Sequence, residues 1–176
     1  DKIKLTSISN SSDWEDICFF VGKEFLLNRN IKMANEYFNR VIGENSQNLN
    51  MALAFYFKKD YSQAELILEK LYNSNVNDNN ILTKLAIVYY KNGNKLKSQQ
   101  AIEKLKSNFK EYQFGEIDYY LAQFFAAIND KDNSINYLLK AVAHGFNYTA
   151  DSFQNDPHFL EYKNSKEFIK ILSFWN

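Results

Sequence analysis

Apolar positions recur three and four residues apart along most of the chain, the spacing of one buried helix face rather than of a strand. They come in sets with a fixed internal order: a small residue, an aromatic three later, a second small residue twelve later, and a large apolar residue four beyond that. The order occurs four times, as Gly22, Phe25, Ala34, Phe38; Ala52, Phe55, Ala64, Leu68; Ala86, Tyr89, Ser98, Ile102; and Ala122, Phe125, Ser134, Leu138. A further apolar residue three on, namely Val41, Leu71, Leu105 or Ala141, continues each second stripe. The sets start 30, 34 and 36 residues apart. Positions three and four apart share a helix face, whereas a gap of twelve spans a turn into a second, antiparallel helix. Each set therefore predicts a helical hairpin whose small residues let the two helices approach closely.

Breakers and capping residues stand where those turns must fall: Asn28-Arg29-Asn30, Lys59-Asp60-Tyr61, Asn92-Gly93-Asn94 and Asn129-Asp130-Lys131-Asp132. Ser12-Asp13-Trp14-Glu15 fits a capping box, which places the first helix at about 14–28. Residues 1–12 are polar and β-leaning and read as a tail or the end of a linker. A lone hairpin cannot bury both of its faces, so four in series predict a stacked, curved array in which each touches its neighbours.

Composition narrows the alternatives. The 176 residues hold five Gly and one Pro, where ordinary usage would give about 20; that leaves little turn chemistry for a sandwich, a barrel or a Gly-rich phosphate loop. Lys plus Arg and Asp plus Glu number 21 each. A zero net charge without long like-charge blocks argues against a nucleic-acid partner, which requires a concentrated basic face. The one Cys excludes an internal disulfide and a thiolate zinc cluster. No apolar run approaches a membrane span, so no membrane insertion is expected. The compartment, cytoplasmic or periplasmic, stays open.

Residues 51–71 (MALAFYFKKDYSQAELILEKL) and 85–95 (LAIVYYKNGNK) carry the small, aromatic and packing positions of a known 34-residue pattern. On these the chain resembles the tetratricopeptide repeat family. It departs from the pattern where the early Trp is replaced by Cys18, Asn48, Leu82 or Asp118, and where each unit would end in Pro. The resemblance implies an all-α fold: a right-handed α/α superhelix of about four hairpins, over 13–44, 45–77, 78–112 and 113–145. Residues 146–176, with Asp156-Pro157-His158-Phe159 and Phe168-Ile-Lys-Ile-Leu172, resemble the capping helices that close many bacterial arrays of this family. Pro157 suits a first helical position, and an amphipathic lid is physically required over the last hairpin's open face.

Catalytic chemistry has thin support. His144 and His158 lie near Asp151 and Asp156 in the sequence but match no metal-ligand spacing, so neither a metal nor a cofactor is expected. Cys18 sits among Trp14, Ile17, Phe19 and Val21 and reads as a small buried hydrophobe. Asp130-Lys131-Asp132 lacks the Gly and terminal Glu of a calcium loop, and Asn10 and Asn147 begin glycosylation sequons of little information. The chain is expected not to be an enzyme.

Binding follows from the resemblance, which implies that the first helices of the hairpins line a concave groove. That mapping gives Phe19, Lys23 and Leu26; Leu49, Leu53 and Tyr56; Thr83, Ile87 and Tyr90; and Glu116, Tyr119 and Gln123. The expected contact residues are Phe19, Lys23, Leu49, Tyr56, Thr83, Tyr90, Tyr119 and Gln123, with the tyrosines as anchors for a peptide or partner protein. Some of these positions serve equally well as core. An alternative is a structural or self-associating arm of a larger signalling or envelope protein, including a homodimer.

Overall fold

The computed structural model describes residues 11–110, 113–145 and 152–173. Among these, nine α-helices and two single-turn 3-10 helices carry the chain, with no strand. The α-helices are α1 (Ser11–Leu27), α2 (Ile31–Gly43), α3 (Leu49–Phe57), α4 (Tyr61–Ser74), α5 (Asn79–Lys91), α6 (Lys95–Ser107), α7 (Glu116–Ala127), α8 (Lys131–Ala143) and α9 (Lys166–Leu172). The 3-10 turns, Phe153–Asn155 and Pro157–Phe159, lie between α8 and α9. Sequence-adjacent helices pack together, α1 on α2, α5 on α6 and α7 on α8, in an all-α helical repeat.

One turn geometry is used four times. The helix ends with a residue of positive φ, Arg29 (59°), Lys59 (65°), Gly93 (84°) or Asn129 (65°). The amide of the following residue reaches back to the carbonyl of the repeat's aromatic: Asn30 to Phe25 at 2.8 Å, Asp60 to Phe55 at 2.9 Å, Asn94 to Tyr89 at 2.8 Å and Asp130 to Phe125 at 2.9 Å. These are Schellman closures, which satisfy the orphan carbonyls of a helix end. The side chain of that same residue then caps the next helix, accepting from the amides of Met33, Gln63, Lys97 and Asn133. One Asn or Asp thus ends one helix and starts another.

The chain divides into two compact units, Asp1–Ile67 and Leu68–Asn176, with the boundary inside α4. In the first unit, α1 and α2 meet at Gly22, where an added Cβ would lie 2.7 Å from the Phe38 ring. Cys18, Phe38 and Val41 are buried around this contact, and Phe38 stacks on Phe57 of α3 with centroids 5.6 Å apart. Helix α1 begins at Ser11, ahead of the start expected near residue 14. The Glu15 carboxylate is spent on a tertiary contact, accepting from the Ser46 hydroxyl at 2.9 Å.

In the second unit, every residue of α5 from Ile81 to Val88 is buried. The two predicted small-residue crossings are hydrogen-bonded: the Ser98 hydroxyl donates to the Ala86 carbonyl at 2.7 Å and the Ser134 hydroxyl to that of Ala122 at 3.0 Å. Gly115 (φ 77°) leads into α7 so close to α8 that a Cβ would lie 2.3 Å from the Ala141 carbonyl oxygen. The segment after α8 closes this unit's core. Phe153, Phe159, Phe168 and Ile171 are buried with Tyr119, Ala122, Leu138 and Ala141, and Pro157 opens its turn at a first helical position behind the Asp156 cap.

Candidate functional site

The repeat's register allows equivalent positions on α1, α3, α5 and α7 to be compared. Three residues before the repeat's small residue stand Phe19, Leu49, Thr83 and Tyr119. Phe19, Thr83 and Tyr119 are buried, and only Leu49 is part exposed. Four residues after the small residue stand Leu26, Tyr56, Tyr90 and Ala126, of which the first three are part exposed. Lys23 is part exposed, whereas Gln123, its equivalent in the fourth hairpin, is buried.

Four of the eight expected contact residues are thus buried. Phe19 packs against both members of the stacked Phe38–Phe57 pair. Thr83 turns its hydroxyl onto the Asn79 carbonyl of its own helix at 2.7 Å and is core because α5 is enclosed over its middle turns. Tyr119 and Gln123 are held by the chain's own closing segment. Lys23, Leu49 and Tyr56 in the first unit and Tyr90 in the second keep part of their surface open. Tyr56 lies edge-on to Phe57, and Tyr90 edge-on to Phe124 with the Lys95 ammonium 5.8 Å from its ring centre.

The second unit brings together residues that spacing did not connect. The Asp156 carboxylate is seated on α7: its Oδ2 accepts from the Tyr119 hydroxyl at 2.6 Å and the Gln123 amide at 2.5 Å. Its Oδ1 accepts from the His158 backbone amide at 2.9 Å and lies 2.6 Å from His158 Nδ1. The Lys84 ammonium of α5 donates to Gln123 Oε1 at 2.7 Å. The four lone-pair directions of a carboxylate are thereby used. Burial works against the charge on Asp156, but His158, Lys84 and the Tyr119 hydroxyl outweigh it and hold the carboxyl well below its usual range. An ionised carboxylate accepts only, so Nδ1 of His158 is the protonated nitrogen. Burial, then the facing Asp156 charge, push the Tyr119 phenol well above its ordinary value.

Acid, base and phenol are close here, yet they are turned onto one another, so the arrangement does the work of a clasp between α5, α7 and the closing segment. The rings extend it: Phe153 stacks on Tyr119 at 5.5 Å and Phe159 meets it edge-on at 5.9 Å. The sequence signal for the clasp was the Asp156-Pro157-His158 run, but the side chains that donate to Asp156 from α7, Gln123 and Tyr119, lie 33 and 37 residues before it in the chain.

The other chemical candidates are placed as follows. His144 Nδ1 lies 2.6 Å from Asp118 Oδ2 and its ring meets Phe109 edge-on. Among the described residues no group of three or more His, Cys, Asp or Glu side chains is placed to hold a metal ion. Cys18 is buried, and burial raises its thiol pKa above the ordinary value. Asn10, Asn147 and Asp151 lie outside the described residues. A polar hollow of about 270 Å³ in the second unit is lined by Asn77, Asn79, Asn108, Lys110 and Gln113. No described helix is long and apolar enough to cross a membrane. No family model matches the sequence, and no curated protein matches it.

Proposed function

We propose that the chain is a tetratricopeptide-type array acting as a non-enzymatic protein-interaction module, its first helices offering the surface on which an extended peptide or partner protein docks. The observation that carries this reading is in the second unit, where polypeptide already lies on that face: a carboxylate between Tyr119 and Gln123, and a Phe ring on each of two sides of Tyr119. Aromatic anchors around a hydrogen-bonded polar group are the chemistry of a peptide hot spot. The part-exposed Tyr56 and Tyr90, with Lys23 and Leu49, are the residues assigned to an outside partner. The test is capture of partners from lysate by wild type and by a folded Tyr56→Asp/Tyr90→Asp variant. Proteins retained by wild type and lost by the variant support the assignment, and identical retention overturns it.

A second reading, self-association, is favoured by Ile17 and Phe20. They stand one turn apart on α1 and are 43% and 54% exposed. Light scattering over a hundredfold concentration range decides it: a dimer abolished by Ile17→Lys/Phe20→Lys supports this reading, and a monomer throughout removes it.

A further inference from the structure

The clasp of the second unit has the composition of a bound ligand rather than of ordinary core. The receiving side is a cation, a phenol and an amide, contributed by Lys84, Tyr119 and Gln123 on α5 and α7. The received side is one short stretch of chain: Phe153 and Phe159 against the Tyr119 ring, and Asp156 midway between them with its carboxylate on the polar group. Lys84 and Asp156 are of opposite charge, and both are buried. Such a constellation is indifferent to whether the carboxylate arrives on the same chain or on another, because the groups that meet Tyr119 and Gln123 from the closing segment, Phe153, Asp156 and Phe159, all lie within the nonapeptide 152–160.

We propose that Lys84, Tyr119 and Gln123 form a recognition site for an acidic peptide of the pattern Phe-x-x-Asp-x-x-Phe, and that residues 152–160 are its intramolecular occupant. The proposal rests on the docking role given above to the first helices and names the peptide chemistry that one of them takes. A tethered occupant has an effective concentration on the order of millimolar, so an outside peptide of equal chemistry competes only near or above that concentration. An occupant weakened at one anchor yields at lower peptide. The site is thereby self-inhibited, and a partner displaces the occupant by matching its three anchors.

The experiment is a fluorescence-anisotropy titration of labelled Ser-Phe-Gln-Asn-Asp-Pro-His-Phe-Leu with the full chain, as wild type and as Phe159→Ala. The expected result is half-saturation of Phe159→Ala at a concentration at least tenfold lower than for wild type. A peptide with Asn in place of its Asp should bind that variant at least tenfold more weakly. No binding to a helical Phe159→Ala chain, or equal binding of the two peptides, overturns the proposal. If circular dichroism finds Phe159→Ala unfolded, the decision passes to wild type: several millimolar peptide should speed amide hydrogen exchange across 153–172, and unchanged exchange there overturns the proposal. Either failure leaves the capture experiment on Tyr56 and Tyr90 untouched, so the loss of this inference is distinguishable from the loss of the docking role.

Discussion

Replacing Asp156 by Ala is the sharpest perturbation the fold offers, because it removes one acceptor from four donors at once. The Tyr119 hydroxyl, the Gln123 amide and two nitrogens of His158 converge on the carboxylate at 2.5 to 2.9 Å. The Lys84 ammonium, itself buried, is balanced by it. Orphaning a buried donor costs about 1–3 kcal/mol, but water entering the vacated space satisfies some of the four. Breaking a buried ion pair from one side costs about 3–5 kcal/mol, and we expect Asp156→Ala to fall there, near 4 kcal/mol. For a chain of this length each kcal/mol moves the melting midpoint by about 2–4 °C, giving a fall of roughly 8–16 °C. The assay is urea unfolding at pH 7 followed by far-ultraviolet dichroism. Asp156→Asn, which keeps shape and one acceptor, should lose less.

The pH dependence fixes the sign independently. The carboxyl is held below its usual range in the fold, whereas in the unfolded chain it titrates near 3.9. Its contribution is therefore complete above about pH 5 and is lost as pH falls below about 4 toward the native value. The stability gap between wild type and Asp156→Ala should narrow between pH 5 and pH 3. A gap under about 1 kcal/mol at pH 7, or one that widens in acid, would refute the electrostatic account of the clasp.

Two glycines should respond with opposite signs. Gly115→Ala places a Cβ 2.3 Å from the Ala141 carbonyl at φ 77° and should cost at least about 2 kcal/mol. Gly43→Ala, with nothing within 4 Å of the new Cβ at the end of α2, should be neutral or stabilise by up to about 1 kcal/mol in the same urea assay. Cys18, the single thiol of the chain, is buried with a raised pKa. Its labelling by a disulfide reagent should be about a hundredfold slower in native buffer than in concentrated guanidinium, because the reacting thiolate is both scarce and covered; equal rates would contradict its burial.

Much of the architecture was legible because it is written locally and four times over. The twelve-residue gap from Ala86 to Ser98 and from Ala122 to Ser134 is realised as a hydroxyl on a carbonyl, and Asn30, Asp60, Asn94 and Asp130 stand at the turns where breakers were expected. The clasp was not legible. Lys84, Gln123 and Asp156 share no period, and nothing in a linear pattern prefers one acidic residue after α8 over another as the partner of α7.

Four of the eight candidate contact positions are buried for a different reason. A helical stripe of apolar positions identifies the face that packs without saying which part of its length is left open. Comparison across the hairpins resolves this. Three residues before the small residue, Phe19, Thr83 and Tyr119 go into the core; four after it, Leu26, Tyr56 and Tyr90 keep exposed area. The two positions are seven residues apart and share one helix face, so it is the C-terminal end of that face that keeps exposed area, and it is aromatic in the two middle repeats. In the fourth hairpin it shrinks to Ala126, which is buried, while the segment carrying Phe153 and Phe159 covers Tyr119 on the same helix. Within the second unit, the chain thus covers the aromatic of its last repeat with its own closing segment and leaves Tyr90 of the repeat before it part exposed.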